Sequence, residues 1–174
     1  RALYPDDLAF RRMLADESTS FAEWQANLKL NLLEKKVSAE INKNISGERI
    51  RDEIFKIVDS EKSGDGIFLL RELGILKIIL PELDEGFSVE QKSPKRHHVF
   101  DVGTHCVLSM QHCPSKKVIV KFATLLHDVG KAKVADITAE GVRTFYNHEV
   151  VGARIANNIT KRFNLSSEDR DKVF

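Results

Sequence analysis

His127 and Asp128 stand side by side at the end of the apolar run 118–126, and both side chains can bind metal ions or transfer protons. Apolar residues on nearly every side of a helical turn predict a buried helix. An imidazole and a carboxylate at the end of such a helix are costly to remove from water unless they are satisfied. A metal ion would satisfy both, and Gly130 and Lys131 add a flexible backbone and a cation. The sequence therefore predicts a reactive site here.

Further histidines on neighbouring predicted helices can join this pair. His105 lies in the middle of the preceding helix, and His148, followed by Glu149, opens the helix after a polar loop. Histidine with carboxylate suits Mn, Fe, Co, Ni or Zn without choosing among them. Asp101 lies on the same helical face as His105. It either orients the imidazole through a hydrogen bond or is a favourable acid in the first turn of that helix.

Each histidine has a simpler explanation when it is taken alone. His105 by itself is typical of a hydrogen-bonded interior residue, and His148 of a helix cap or a solvent contact. His97, His98 and His112 are predicted to be solvated. The combination favours a site, because the His-Asp pair is followed by Gly-Lys and preceded by His105 about one helix upstream.

Composition indicates an ordinary globular protein. The 174 residues are 42% hydrophobic and 30% charged, enough for one buried domain with or without a helical extension. A net charge of +1 argues against binding nucleic acid by bulk charge. Without a membrane-spanning stretch or a secretory signal, we expect a cytoplasmic protein whose Cys106 and Cys113 are reduced thiols. The chain does not begin with Met and reads as a piece of something longer.

Helical periodicity in nearly every segment predicts an all-α fold. A long amphipathic helix is expected over residues 21–43, and a second runs from an N-cap at Ser46 through residue 58. Residues 61–66 are expected to form a polar break. The next helix should end at Gly74, and Pro81 should close the short apolar turn that follows.

Residues 85–95 are loop-like and mark the predicted boundary between two parts. Residues 1–84 are assigned to a helical neck or body segment, and residues 85–174 to a second domain. In that domain, helices are predicted over about 99–113, 118–127 and 148–163. A final helix should open at Ser166 or Ser167, where a capping box is present.

The site motifs resemble the HD superfamily of metal-dependent phosphohydrolases, whose pattern is a first His, an adjacent His-Asp pair and a distal Asp. The first His matches His105 in DVGTHC, and the pair matches His127-Asp128 in LLHDVGK. The resemblance implies an HD-domain helical bundle that binds a divalent ion (Mn, Ni, Mg, Fe, Co or Zn). His105, His127, Asp128 and His148 would be its ligands, with His148 alternatively a phosphate contact.

The distal Asp of the HD pattern has no clear counterpart. Asp171 is the nearest candidate, but it comes too early in the last predicted helix, so the fourth ligand is expected beyond Phe174.

A narrower resemblance covers the chain from about residue 45 onward. The segments 45–54, 73–83 and 144–153 resemble the tRNA nucleotidyltransferase/poly(A) polymerase family. That family's nucleotidyltransferase head combines a Gly-Gly phosphate loop with an Asp-x-Asp metal pair, and the chain lacks this combination. By itself the chain is therefore not expected to add nucleotides to RNA.

The resemblance implies hydrolysis of phosphomonoesters or 2′,3′-cyclic phosphodiesters on a phosphorylated nucleotide or RNA end. The ion would lower the pKa of its bound water from about 15.7 towards about 7. Asp128 and Lys131 would be the catalytic residues: Asp128 would steer the water, and Lys131 would stabilise negative charge on the phosphoryl oxygens.

Two other functions remain open. The HD fold could be a helical body that docks tRNA with little hydrolysis of its own. The candidate phosphate contacts for that role are residues 92–98, 116–117 and 161–162. The weakest alternative is a degenerate HD domain used for protein contacts.

Overall fold

The computed structural model describes residues 35–36, 39–41, 44–91, 99–139 and 141–173. The chain divides into two compact units, residues 1–45 and 46–174, and the elements below all belong to the second. The helix predicted over 21–43 lies outside the described residues except for 35–36 and 39–41, which are helical. Among the described residues, no helix is both long and apolar enough to cross a membrane.

Nine helices and one short hairpin make up the described part of the second unit. The helices are α1 (Gly47–Asp59), α2 (Ser63–Glu72), α3 (Leu76–Ile79), α4 (Pro81–Gly86), α5 (Val102–Gln111), α6 (Val118–Leu126), α7 (Lys131–Val134), α8 (His148–Arg162) and α9 (Ser167–Asp171). Between α7 and α8, β1 (Asp136–Ile137) pairs antiparallel with β2 (Arg143–Thr144). The predicted all-α class is confirmed.

Several predicted helix ends are confirmed by their hydrogen bonds. Ser46 is the N-cap of α1, and its side chain accepts a hydrogen bond from the backbone N–H of Arg49. Ser166 caps α9 in the same way by accepting from the N–H of Asp169. Gly74 follows α2 with a φ of 71°, a left-handed conformation that glycine adopts without steric penalty.

Two expectations about local structure were wrong and one was incomplete. The polar break at 61–66 is shorter than predicted, because α2 begins at Ser63 and buries its first residues against Gln111. The short apolar turn ends at Leu80, directly before Pro81, as predicted, but Pro81 also opens α4, a position where its missing N–H is not needed. The polar loop before His148 contains α7 and the β-hairpin.

One hydrophobic core runs through the second unit, with residues from every helix described above except α7 and α9. Phe122 is fully buried at its centre, and its ring lies 5.2 Å from that of Phe55 and 6.1 Å from that of Phe163. This core joins the helices of the first half to α5, α6 and α8.

The prediction that α6 is buried on nearly every side was wrong. Phe122 and Leu125 are fully buried, but Val120 is 37% exposed. Helix α6 packs mainly against α5 and α1, so one side still faces solvent. The same side carries Thr124 and leads to His127 at the helix end.

Candidate metal centre

The start of α5 is fixed by Asp101, which is its N-cap. One carboxylate oxygen accepts from the backbone N–H of Thr104 at 2.7 Å, and the other accepts from the Thr104 hydroxyl at 2.8 Å. These bonds hold the first turn of α5, which positions His105. Asp101 is therefore the N-cap of α5, one residue before the first turn in which the sequence analysis considered it.

The end of α6 fixes the orientation of His127. Its Nδ1 lies 2.7 Å from the carbonyl oxygen of Thr124 and must donate there, because a carbonyl only accepts. Nε2 is then directed towards Asp128 and His105. Both side chains were expected to be buried. The Asp128 side chain is only 7% exposed, but the His127 side chain is 38% exposed on the open side of α6.

Asp128 is the centre of the polar contacts. Its Oδ2 atom lies 2.6 Å from Lys131 Nζ, 3.2 Å from His127 Nε2 and 3.5 Å from His105 Nε2. Its Oδ1 atom faces His148 Nε2 at 3.6 Å. One buried carboxylate thus contacts all four of the other residues predicted for the site.

Helix α8 reaches Asp128 because Gly130 lets its backbone approach the turn after α6. A Cβ atom on Gly130 would lie 2.1 Å from the carbonyl oxygen of His148 and 2.5 Å from the backbone nitrogen of Gly152. Gly130 itself has an ordinary φ of −66°. Gly130 was expected to make the backbone flexible. Its role is instead to leave space for α8.

The charges around Asp128 shift the ionisation of the site. Burial disfavours the Asp128 carboxylate, but hydrogen bonds from His127 and Lys131 outweigh burial and hold the pKa of that carboxyl well below its usual range. The hydrogen bond to Asp128, supported by Cys106, raises the pKa of His127 to about 10. Asp128 is thus an anion that attracts cations to the two imidazoles.

The donor set fits a divalent cation. Among the described residues, His105, His127 and Asp128 form a group whose ligand atoms lie within 4.8 Å of one another. The two Nε2 atoms are 3.2 Å apart. Two nitrogens bound to one ion at ordinary distances are separated by about 2.9 to 3.4 Å for bond angles between octahedral and tetrahedral. A cation bound at His127 Nε2 would replace the proton that Asp128 otherwise stabilises on that imidazole.

His148 lies at the edge of this group. Its Nδ1 is 2.7 Å from the carbonyl oxygen of Phe145 and 3.2 Å from a Glu149 carboxylate oxygen, so Nδ1 carries the hydrogen. Nε2 is left facing Asp128. Asp171 is exposed on α9 and is not part of the group found among the described residues.

Gln91 is a site residue that the sequence did not indicate. It is 3% exposed, and its Oε1 accepts a hydrogen bond from Lys131 Nζ at 2.8 Å. Its Nε2 donates to the carbonyl of Phe100 at 3.4 Å. No local pattern identifies a lone glutamine outside a helix, because its role depends on a lysine that is 40 residues away in sequence.

The other basic residues considered from the sequence have different surroundings. His112 is exposed at the end of α5, as predicted. Residues 92–98 lie outside the described residues. Lys116, Lys117 and Lys161 are exposed, whereas the Arg162 guanidinium is held by Glu82 at 2.7 and 2.9 Å. Arg162 is therefore part of the structural framework.

Comparison with known proteins identifies the family of the chain. The HD domain family matches residues 96–173, and residues 35–87 match the family described as a probable RNA and SrmB-binding site of polymerase A. The A-adding tRNA nucleotidyltransferase of Deinococcus radiodurans is 36% identical over 126 residues, covering 70% of this chain and 29% of that protein. The chain contains an HD region of the tRNA nucleotidyltransferase family.

Other relatives of the HD region carry the name multifunctional CCA protein. The one from Azoarcus sp. is 34% identical over 108 residues, which is 60% of this chain and 25% of the relative. The one from Halorhodospira halophila is 36% identical over 107 residues, with the same coverage. The chain thus spans between a quarter and a third of the length of these curated relatives.

Proposed function

We propose that this HD region is a metal-dependent phosphohydrolase that acts on phosphomonoesters or 2′,3′-cyclic phosphodiesters of a nucleotide or RNA end. The observation that carries the proposal is the group of His105, His127 and Asp128, whose donor atoms lie within 4.8 Å of one another. A divalent ion bound there supplies Lewis-acid chemistry and activates water at neutral pH.

Lys131 is suited to contact the phosphoryl group. Its ammonium has three donors, and among the described residues Asp128 and Gln91 use two of them. The third donor can bind a phosphate oxygen without breaking either contact. Asp128 then has two tasks, since it binds the ion and holds Lys131 in place, while His148 is a further ligand or a phosphate contact beside Oδ1.

The test is metal analysis of the purified chain after loading with Mn or Ni, together with hydrolysis of 2′,3′-cyclic AMP. His127→Ala and Asp128→Asn should each abolish bound metal and hydrolysis. Asp128→Asn keeps the volume of the side chain, so its effect is separable from a folding defect by circular dichroism. His112→Ala, at an exposed histidine outside the group, is the matched control and should behave like the wild type.

Wild-type chain that retains no ion after loading would overturn the hydrolase proposal. So would hydrolysis that persists in both His127→Ala and Asp128→Asn, because the proposed ligands would then be dispensable.

A second function, docking of tRNA by a helical body, is favoured by the match of residues 35–87 to an RNA-binding family. Lys116, Lys117 and Lys161 are the described candidates for phosphate contacts because they are exposed. If they bind phosphates, the triple alanine variant should weaken tRNA binding and lower the slope of log affinity against log salt by about 1 per lost contact. His127→Ala should leave tRNA affinity unchanged. An unchanged salt slope in the triple variant would remove these lysines as the docking surface.

A further inference from the structure

A cavity of about 450 Å³ lies beside Asp128, on the side of Lys131 and His148. Its volume is within the range of about 300 to 1,000 Å³ that is usual for small-molecule sites. The residues that matter for its chemistry are Gln91, Lys131, Arg143, Phe145, Tyr146 and His148. Because Lys131 and His148 also contact Asp128, the cavity continues directly from the candidate metal centre.

The wall of this cavity is built by the β-hairpin and the turn after it. The hairpin loop is closed by backbone bonds from Thr138 N to Val142 O and from Gly141 N to Thr138 O, both at 2.9 Å. The Thr138 hydroxyl oxygen also accepts from the N–H of Val142 at 3.3 Å. This wall is therefore organised by its own hydrogen bonds before any ligand binds.

Tyr146 presents an aromatic ring to solvent at the cavity. It is 78% exposed, which is unusual for a large side chain with an apolar face. The next residue, Asn147, has a φ of 61°, so the chain turns sharply before α8 and leaves Tyr146 on the outside of the turn. Exposed aromatic rings beside cationic groups are the usual platforms on which single-stranded bases stack.

Arg143 and Lys131 give the cavity a positive charge. Within the part of the chain that the structure describes, no hydrogen bond or ion pair engages the half-buried Arg143 side chain. Its planar guanidinium can bind two phosphate oxygens at once. Lys131 lies 5.4 Å from the centre of the Phe145 ring, which keeps its ammonium at the boundary between the cavity and Asp128.

We propose that this cavity binds a phosphorylated nucleotide whose base stacks on Tyr146 and whose phosphate is bound by both Lys131 and Arg143. The inference rests on the proposed phosphohydrolase function, because the scissile phosphate would then lie at Lys131 and Asp128. The turn after the hairpin, which carries Tyr146, is thus the element that distinguishes a nucleotide from a simple phosphate ester. The ligand is either a free nucleotide or the terminal nucleotide of an RNA, which share this chemistry.

The test is calorimetric binding of 3′-AMP, adenosine and inorganic phosphate to the metal-loaded chain. Tyr146→Ala should weaken 3′-AMP binding about tenfold, the loss expected for one stacked base, and Tyr146→Phe should restore it. Arg143→Gln should weaken 3′-AMP and inorganic phosphate but leave adenosine unchanged. Val150→Ala, at a half-exposed apolar residue of α8 outside the cavity lining, is the control and should bind like the wild type.

Equal binding of 3′-AMP by the wild type and Tyr146→Ala would overturn the proposal. The proposal would also be overturned if Tyr146→Ala weakened inorganic phosphate binding as much as 3′-AMP binding. The ring would then support the whole site and would not stack on a base. An oligoribonucleotide with a 3′-phosphate distinguishes the two sources: tighter binding than 3′-AMP identifies an RNA end, and weaker binding a free nucleotide. Hydrolysis of bis(p-nitrophenyl) phosphate, which has no nucleoside, tests the phosphohydrolase function separately.

Discussion

In the body formed by α1–α4, buried positions are filled by aliphatic side chains such as Ile54, Ile67 and Leu80, and none of the charged residues in these helices is fully buried. The pair between Lys56 and Glu53, for example, has both side chains at least 70% exposed. Around Asp128 the arrangement is reversed. The Asp128 carboxylate and the Gln91 amide are buried, and the Lys131 ammonium binds both of them.

The contrast shows where each region is sensitive. Exposed ion pairs of the body contribute little, because water solvates their groups almost as well as the partner does. Asp128, Lys131 and Gln91 depend on one another, because each loses its compensation when a neighbour is removed. Substitutions in the body and core should therefore mainly change the stability of the protein, and substitutions at the site should mainly change its function.

The largest effect is expected at the point where both regions meet. Phe122 is fully buried between Phe55 of α1 and Phe163 after α8. Phe122→Ala should lower the free energy of unfolding by about 3 to 5 kcal/mol. Denaturant unfolding measures this loss, and Val120→Ala on the exposed side of α6 is the control. Similar losses in the two variants would contradict the one-sided burial of α6.

A smaller but more selective effect is expected at Gly130. An alanine there would force apart the turn after α6 and the start of α8, at a cost of about 1 to 3 kcal/mol. Metal affinity should fall strongly because His148 and Asp128 are separated, while the far-ultraviolet circular dichroism stays helical. A Gly130→Ala variant with wild-type metal affinity would show that the position of α8 does not matter for the site.

Asp101 tests whether a residue near the site acts through the helix or through His105. Asp101→Ala removes the cap of α5 and should destabilise the protein by about 1 kcal/mol. Asp101→Asn retains a capping oxygen and should keep both stability and metal affinity. Wild-type stability with a large loss of metal affinity in Asp101→Asn would instead favour a direct hydrogen bond to the imidazole.

The smallest effect concerns pH and the ion pair between Glu82 and Arg162. Burial disfavours the Glu82 carboxylate, but the bonds from Arg162 prevail and lower the pKa of Glu82 below 4.5. Its stabilisation is therefore present above that ordinary value and is lost as pH falls through the lowered one. Glu82→Gln should flatten the acid side of the stability curve by about 1 kcal/mol or less. Thermal unfolding between pH 3 and 7 measures the difference, and an unchanged curve would contradict it.

Local patterns in the sequence predicted much of the fold. Ser46, Gly74 and Ser166 mark helix ends through hydrogen bonds or backbone angles that involve only nearby residues. The sequence also placed His127 and Asp128 at the end of α6. The assigned roles of these two residues and the boundary near residue 84 stay predictions.

Contacts between distant segments could not be predicted in the same way. Gln91 gains its role only when folding brings it to Lys131, and Gly130 gains its role only from the approach of Gly152. The β-hairpin was missed because strands of two residues are too short to show an alternating pattern. These are the features that complete the surroundings of Asp128.

The bond from His127 Nδ1 to the Thr124 carbonyl links a candidate ligand to the integrity of its own helix. Carbonyl groups in the last turn of a helix lack partners within it, so His127 serves as a cap for α6. Fraying of that turn would rotate the imidazole away from Asp128, and a cation bound to Nε2 would oppose the fraying. Amide hydrogen exchange at the end of α6 should therefore slow when metal binds, which gives a readout of site assembly that requires no substrate.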